Sequence, residues 1–154
     1  MSRVKWTVAL ALCAAVVTLS AAQDPFNGTW RLNTAKSKYT PGPAPEKAVV
    51  TIQSDGMTQE VRTESTFEGK VIKTSSKAKL DGTPAKLEGS PVADMTSVKK
   101  VDERTRELTS MKGGKTVGES KAVVSADGKT ITVTGTGVNP KGEKVQFTAV
   151  YEKQ

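Results

Sequence analysis

Seven short turn signals cut this chain into pieces after Pro45: Asp55-Gly56, Glu68-Gly69, Asp81-Gly82, Glu88-Gly89, Gly113-Gly114, Asp127-Gly128 and Lys141-Gly142. Most place a glycine where a tight hairpin needs positive φ. Between them stand runs of 6 to 14 residues rich in Val, Ile and Thr, side chains that fit a pleated, half-buried surface. The predicted strands are 28–32, 48–53, 58–67, 71–80, 83–87, 95–101, 104–111, 116–125, 130–138 and 143–151. Alternation assigns their faces. Val145, Phe147, Ala149 and Tyr151 share one side and Lys144, Gln146 and Thr148 the other, and Leu108 stands against Glu107 and Thr109. One face of the sheet is therefore buried and the other wet.

Ten short strands joined by tight turns, with no segment long enough for crossover helices, make an antiparallel meander. Joining its two ends removes the unpaired edges. The expected fold is thus all-β, an antiparallel up-and-down barrel of about 8–10 strands, ahead of a two-sheet sandwich. Residues 33–45 break the pattern: 33–38 favours a short helical turn, and Pro41-Gly42-Pro43-Ala44-Pro45 forces an irregular link, together a Pro-rich strap after the first strand. Gly135 and Gly137, inside a Thr-rich strand, mark a bulge or a tight bend of the wall.

Residues 1–22 have the form of a secretory signal peptide: basic Arg3 and Lys5, an apolar run over 8–19, then Ser20-Ala21-Ala22 where a signal peptidase would cut. The apolar run is too short to span a bilayer, which takes roughly 20 residues. The expectation is export, to the periplasm or beyond, of a single domain covering 23–154 with no transmembrane segment after cleavage. The only cysteine, Cys13, lies inside the signal. The domain would stand on packing and strand pairing without a disulfide.

Residues 23–154 keep 21 basic against 16 acidic residues, a formal charge of +5 spread along the chain. Lys99-Lys100 and Arg104-Thr105-Arg106 are the densest basic stretches. Neither is interleaved with aromatics for base stacking, so they read as a solvated strand face and nucleic acid is not an expected partner. There is no histidine at all, which removes Ser-His-Asp and Cys-His nucleophilic sites, histidine-ligated haem and His or Cys zinc sites. No catalytic residue, metal site or cofactor is expected. Glu60 and Glu64 share a strand face but read as solvated, and Gly114-Lys115-Thr116 lacks the earlier glycine of a phosphate loop, Thr109 standing in its place.

Phe26-Asn27-Gly28-Thr29-Trp30 resembles the Gly-x-Trp signature on the first strand of lipocalins and their barrel relatives, the calycins. The resemblance implies that Trp30 packs across the closed base of the barrel and that Gly28 admits close approach of a neighbour. A wider match, with Leu32-Asn33, Lys36-Ser37-Lys38, the Pro-Gly-Pro at 41–43, Ser125-x-Asp127-Gly128-Lys129-Thr130 and Val150-Tyr151-Glu152-Lys153, is similar to a group of small exported bacterial lipocalin-like proteins. It implies a fold and export, and no particular activity. Two departures matter. The lipocalin helix that packs on the barrel has no counterpart after the last predicted strand, and Lys153 or Arg31 must replace the arginine that covers the lipocalin tryptophan. Avidin-type biotin binding is disfavoured, because Trp30 is the only tryptophan outside the signal.

Parity places Val61, Phe67, Met95, Leu108, Val123, Val133, Val145, Phe147 and Tyr151 inside the barrel, where eight or more strands can enclose a small molecule. Two functional readings follow. In the first, the domain carries a small apolar or amphipathic molecule; Trp30 closes the base, Val61, Phe67, Phe147 and Tyr151 line the pocket, and Tyr39 with the strap gates it. In the second, the interior is packed and the basic outer face meets an anionic polymer or a protein partner in the cell envelope. Salt would weaken the second and barely touch the first.

Overall fold

The computed structural model describes residues 23–154; the signal-peptide reading of 1–22 lies outside the described residues. Its strands are β1 Gly28–Leu32, β2 Lys38–Thr40, β3 Lys47–Ser54, β4 Thr58–Phe67, β5 Lys70–Lys79, β6 Ala85–Glu88, β7 Met95–Asp102, β8 Thr105–Lys112, β9 Lys115–Val124, β10 Thr130–Val138 and β11 Lys144–Lys153. A 3-10 turn, Thr34–Lys36, separates β1 from β2. From β3 to β11 each strand pairs with the next, and β1 pairs with both β3 and β11. All these pairs are antiparallel. The result is a closed up-and-down barrel of ten strands with β2 as an extra strand on β11.

The turns are set locally. In the link between β9 and β10, Ser125 Oγ donates to Asp127 Oδ1 at 2.6 Å and the same carboxylate accepts from Lys129 N at 3.0 Å. Gly128 then takes φ +71°, the left-handed region that suits glycine. Because each hairpin fixes its register, a whole strand commits its apolar set to one face. On β11 that set meets β10 at Ile131↔Tyr151, Val133↔Ala149 and Gly135↔Phe147.

β9 and β10 approach each other closely. A Cβ on Gly135 would come within 2.2 Å of Glu119 O, and one on Gly118 within 2.8 Å of Thr136 O. These two backbones approach so closely that only glycine fits.

Four details differ from the sequence reading. The strap begins with a real strand: β2 runs along β11, with Tyr39 opposite Phe147, so β1, the 3-10 turn and β2 climb one edge in a broken line. A three-residue strand is invisible to periodicity. Val123 is 39% exposed and lies opposite Thr132 on the outer face, because its neighbours Ala122 and Val124 take the inward positions. Met95 alternates with buried Thr96 and Val98 and so faces outward. Arg106, expected on a solvated face, is buried.

One end of the barrel, the base, carries residues 24–27, the β3–β4, β7–β8 and β9–β10 turns and the end of β11. The other, the mouth, carries the β4–β5, β8–β9 and β10–β11 turns. The largest core cluster sits at the base, where Phe26, Trp30, Ala122, Val124 and Ile131 pack together. A second, nearer the mouth, joins Leu32, Ala48 and Ala149 to Tyr39, Phe147 and Tyr151. Burying each large apolar side chain contributes about 1.5–3 kcal/mol. Among the described residues no helix is long and apolar enough to cross a membrane.

Candidate functional site: an interior cavity above a sealed base

Trp30 follows directly from its strand. On β1 it alternates inward with Leu32, is fully buried, and its Nε1 donates to Phe26 O at 2.9 Å. A buried indole N–H needs such a partner. Lys153, opposite Trp30 across the seam, sets its ammonium 5.4 Å from the indole ring centroid, within cation–π range. Gly28 makes room for it: the glycine has φ +134°, and a Cβ there would sit 3.0 Å from Lys153 Cε. Arg31, the other candidate cover, faces outward and donates to Gln154 Oε1 at 3.0 Å.

Below Trp30 the base is sealed by a charged network. Arg106 Nη2 donates to Asp24 Oδ2 and Nη1 to Gln59 Oε1. Ser54 Oγ donates to Asp24 Oδ2 at 2.7 Å, and Asn27 and Ser54 exchange hydrogen bonds of 2.9 and 2.6 Å. The guanidinium lies 3.9 Å from the Phe26 ring centroid. Burial pulls the Arg106 pKa down and the Asp24 carboxylate pulls it back up, so the group stays a cation. One atom is left over: Arg106 Nε is buried with no hydrogen-bond partner. A buried donor left unmade costs about 1–3 kcal/mol.

Above this network lies a cavity of about 200 Å3. Its walls are largely apolar, with Trp30, Val50, Ile52, Val61, Leu108 and Ile131 among them; Gln59, Thr63, Arg106 and Tyr151 supply its polar groups. Two larger grooves, of about 680 and about 700 Å3, run over the outside of β3 and β4. They are lined by Thr, Lys, Arg and Glu and open to water. The interior cavity is the one with the features of a ligand site, a concave apolar surface with a few placed polar groups.

Of the residues singled out from sequence, the fold brings Trp30, Val61 and Tyr151 to the cavity wall. Phe67 is buried at the mouth end of β4 without lining the cavity. Phe147 also lies nearer the mouth, stacked on Tyr39 with ring centroids 5.6 Å apart and 19° between planes. Burial raises the Tyr39 pKa, with the Tyr151 hydroxyl offsetting part of it, and burial raises that of Tyr151 further. Across the mouth, Lys141 Nζ meets Glu68 Oε1 at 2.7 Å, tying the β10–β11 turn to the β4–β5 turn. Glu60 and Glu64 sit on the outer wall, paired with Arg62 and Lys73. Among the described residues no cluster of three or more His, Cys, Asp or Glu is placed to hold a metal ion.

Arg106, Gln59 and Asp24 were missed by the sequence reading, although two of them had a signal. Arg106 is two residues from inward-facing Leu108 and Gln59 two from Val61, so parity alone turns both inward. Their polarity hid them. Asp24 precedes the first strand and has no period to betray it. No protein-family model matches this chain, and no curated protein matches it.

Proposed function

We propose that this chain is an exported, lipocalin-like carrier of a small apolar or amphipathic molecule, held inside the barrel. The observation that carries the reading is the cavity of about 200 Å3, apolar on most of its wall with a few polar groups set into it. Trp30 closes the base, Val61 and Tyr151 line the chamber, and Tyr39, stacked on Phe147, is the gate. β2 suits that task because among the described residues it pairs with β11 alone; strands held on one side open at low cost. Residues 1–22 supply the export signal. The role is binding rather than catalysis, and no residue is assigned to a reaction.

The ion pairs on the outer wall weigh against a purely electrostatic partner. Arg62, Lys73 and Lys86 are each matched to a glutamate, so no one-sign patch forms there. Native mass spectrometry of residues 23–154, exported by the source cell type, tests the proposal. A discrete extra mass that vanishes on denaturation supports it; an apo mass that also fails to shift with added hydrophobic ligands ends it.

A further inference from the structure

Besides the Thr63 and Tyr151 hydroxyls, the cavity has a polar end at the base made by Gln59 and Arg106, and the chemistry of that end is one-sided. Gln59 spends its Oε1 on Arg106 Nη1. Arginine has no acceptor to offer, so the amide cannot be turned round, and the Gln59 NH2 group must be the part left over. No side-chain hydrogen bond is formed by Gln59 Nε2 among the described residues, whereas the Arg106 Nε–H is wholly enclosed and unpartnered. The Nε–H is covered by protein on every side, so the free donor that this part of the cavity wall offers is Gln59 Nε2, beside the Arg106 guanidinium. The charge, by contrast, is already matched. Asp24 lies against the guanidinium with 7% of its side chain exposed, so the polar end carries no net charge to neutralise.

Resting on the carrier reading above, we infer that the barrel selects a small, neutral molecule with an apolar body and one hydrogen-bond acceptor, a ketone, ester or ether oxygen, which is held by Gln59 Nε2. An anion is disfavoured, because the one buried cation of the cavity wall already has its counter-charge in Asp24. The size agrees. A dry cavity of roughly 150 Å3 takes benzene, and about 200 Å3 leaves room for a short substituent carrying the acceptor.

Three probes of one skeleton test this on residues 23–154: ethylbenzene, acetophenone and benzoate, titrated by calorimetry and by the 15N-resolved signal of the Gln59 side-chain amide. The expected result is acetophenone binding about tenfold more tightly than ethylbenzene, benzoate not binding, and the Gln59 amide resonance moving downfield with the ketone alone. Equal affinity for ethylbenzene and acetophenone, with the Gln59 amide unmoved, overturns the acceptor site while leaving the carrier reading intact. Benzoate binding best overturns neutrality. If none of the three binds, the carrier reading falls as well. Gln59→Met, similar in length and without donors, is expected to reduce the ketone preference to about one to one, with a thermal melt reporting its fold; the wild-type probe series decides the question even if that variant is unstable.

Discussion

At the base, Arg106 and Asp24 meet with 3% and 7% of their side chains exposed; at the mouth, Lys141 and Glu68 meet with 46% of each exposed. Both are arginine- or lysine-to-carboxylate contacts, yet they do different jobs. The base pair is out of water, fastened by Gln59 and Ser54 and covered by Phe26. Removing one partner would leave a buried charge alone, which is what makes such a pair rigid. The mouth pair is solvated and screened by salt, and it joins two hairpin tips that otherwise make no strand pairing with each other. The carrier reading proposed above calls for this asymmetry, one end that holds and one that opens.

The sharpest break in that contrast is Trp30→Ala, which removes the largest buried side chain at the base. It should cost about 3–5 kcal/mol, read as a lower urea midpoint; a near-neutral result would mean that the base does not hold the fold. Asp24→Asn should follow, at about 3 kcal/mol, the low end of the range for a broken buried pair because Gln59 and Ser54 still accept from Arg106. If it melts like the wild type, the network at the base is ornamental.

Alkali probes the tyrosines between the two ends. Burial raises the Tyr151 pKa, so the folded chain keeps that phenolic proton after the unfolded chain has lost it. Stability is then fully present below the unfolded value, near pH 10, and falls by about 1.4 kcal/mol per pH unit above it. The chain's two tyrosines are Tyr39 and Tyr151, so phenolate absorbance should appear together with the loss of β-sheet circular dichroism. A phenolate signal from a still-folded barrel would mean that water already reaches Tyr151.

Tyr39→Leu removes the stack on Phe147 and should cost about 0.5–1.5 kcal/mol, while amides of β2 exchange faster and those of β1 do not. Glu68→Gln is expected to leave the unfolding midpoint unchanged and to make amide exchange at the two mouth turns insensitive to salt. A large loss of stability from either change would remove the difference between the ends.

The barrel was legible in the sequence because its causes are local. Glycine at the turns, period-two alternation and the lack of room for helices each act within a few residues, and Phe26-x-Gly28-Thr29-Trp30 announced a special base before any contact was known. Short β2 and the misplaced Val123 mark the limit of that approach: one is too brief to carry a period, and the other's parity only becomes definite once Val124 meets Ile131.

What the chain alone determined, then, was an all-β meander with a tryptophan at its beginning, since those features depend on backbone preference and near neighbours. Closure was decided in three dimensions, when β1 met β11 across more than a hundred residues. So was the chemistry inside. Asp24, Gln59 and Arg106 stand 35 and 47 residues apart in sequence, and only the curvature of the closed wall brings them together and sets Gln59 and Arg106 in the wall of a largely apolar chamber. Burial turned a seemingly solvated arginine into the polar end of the cavity, because a charge is tolerated out of water only where the fold supplies its counter-charge.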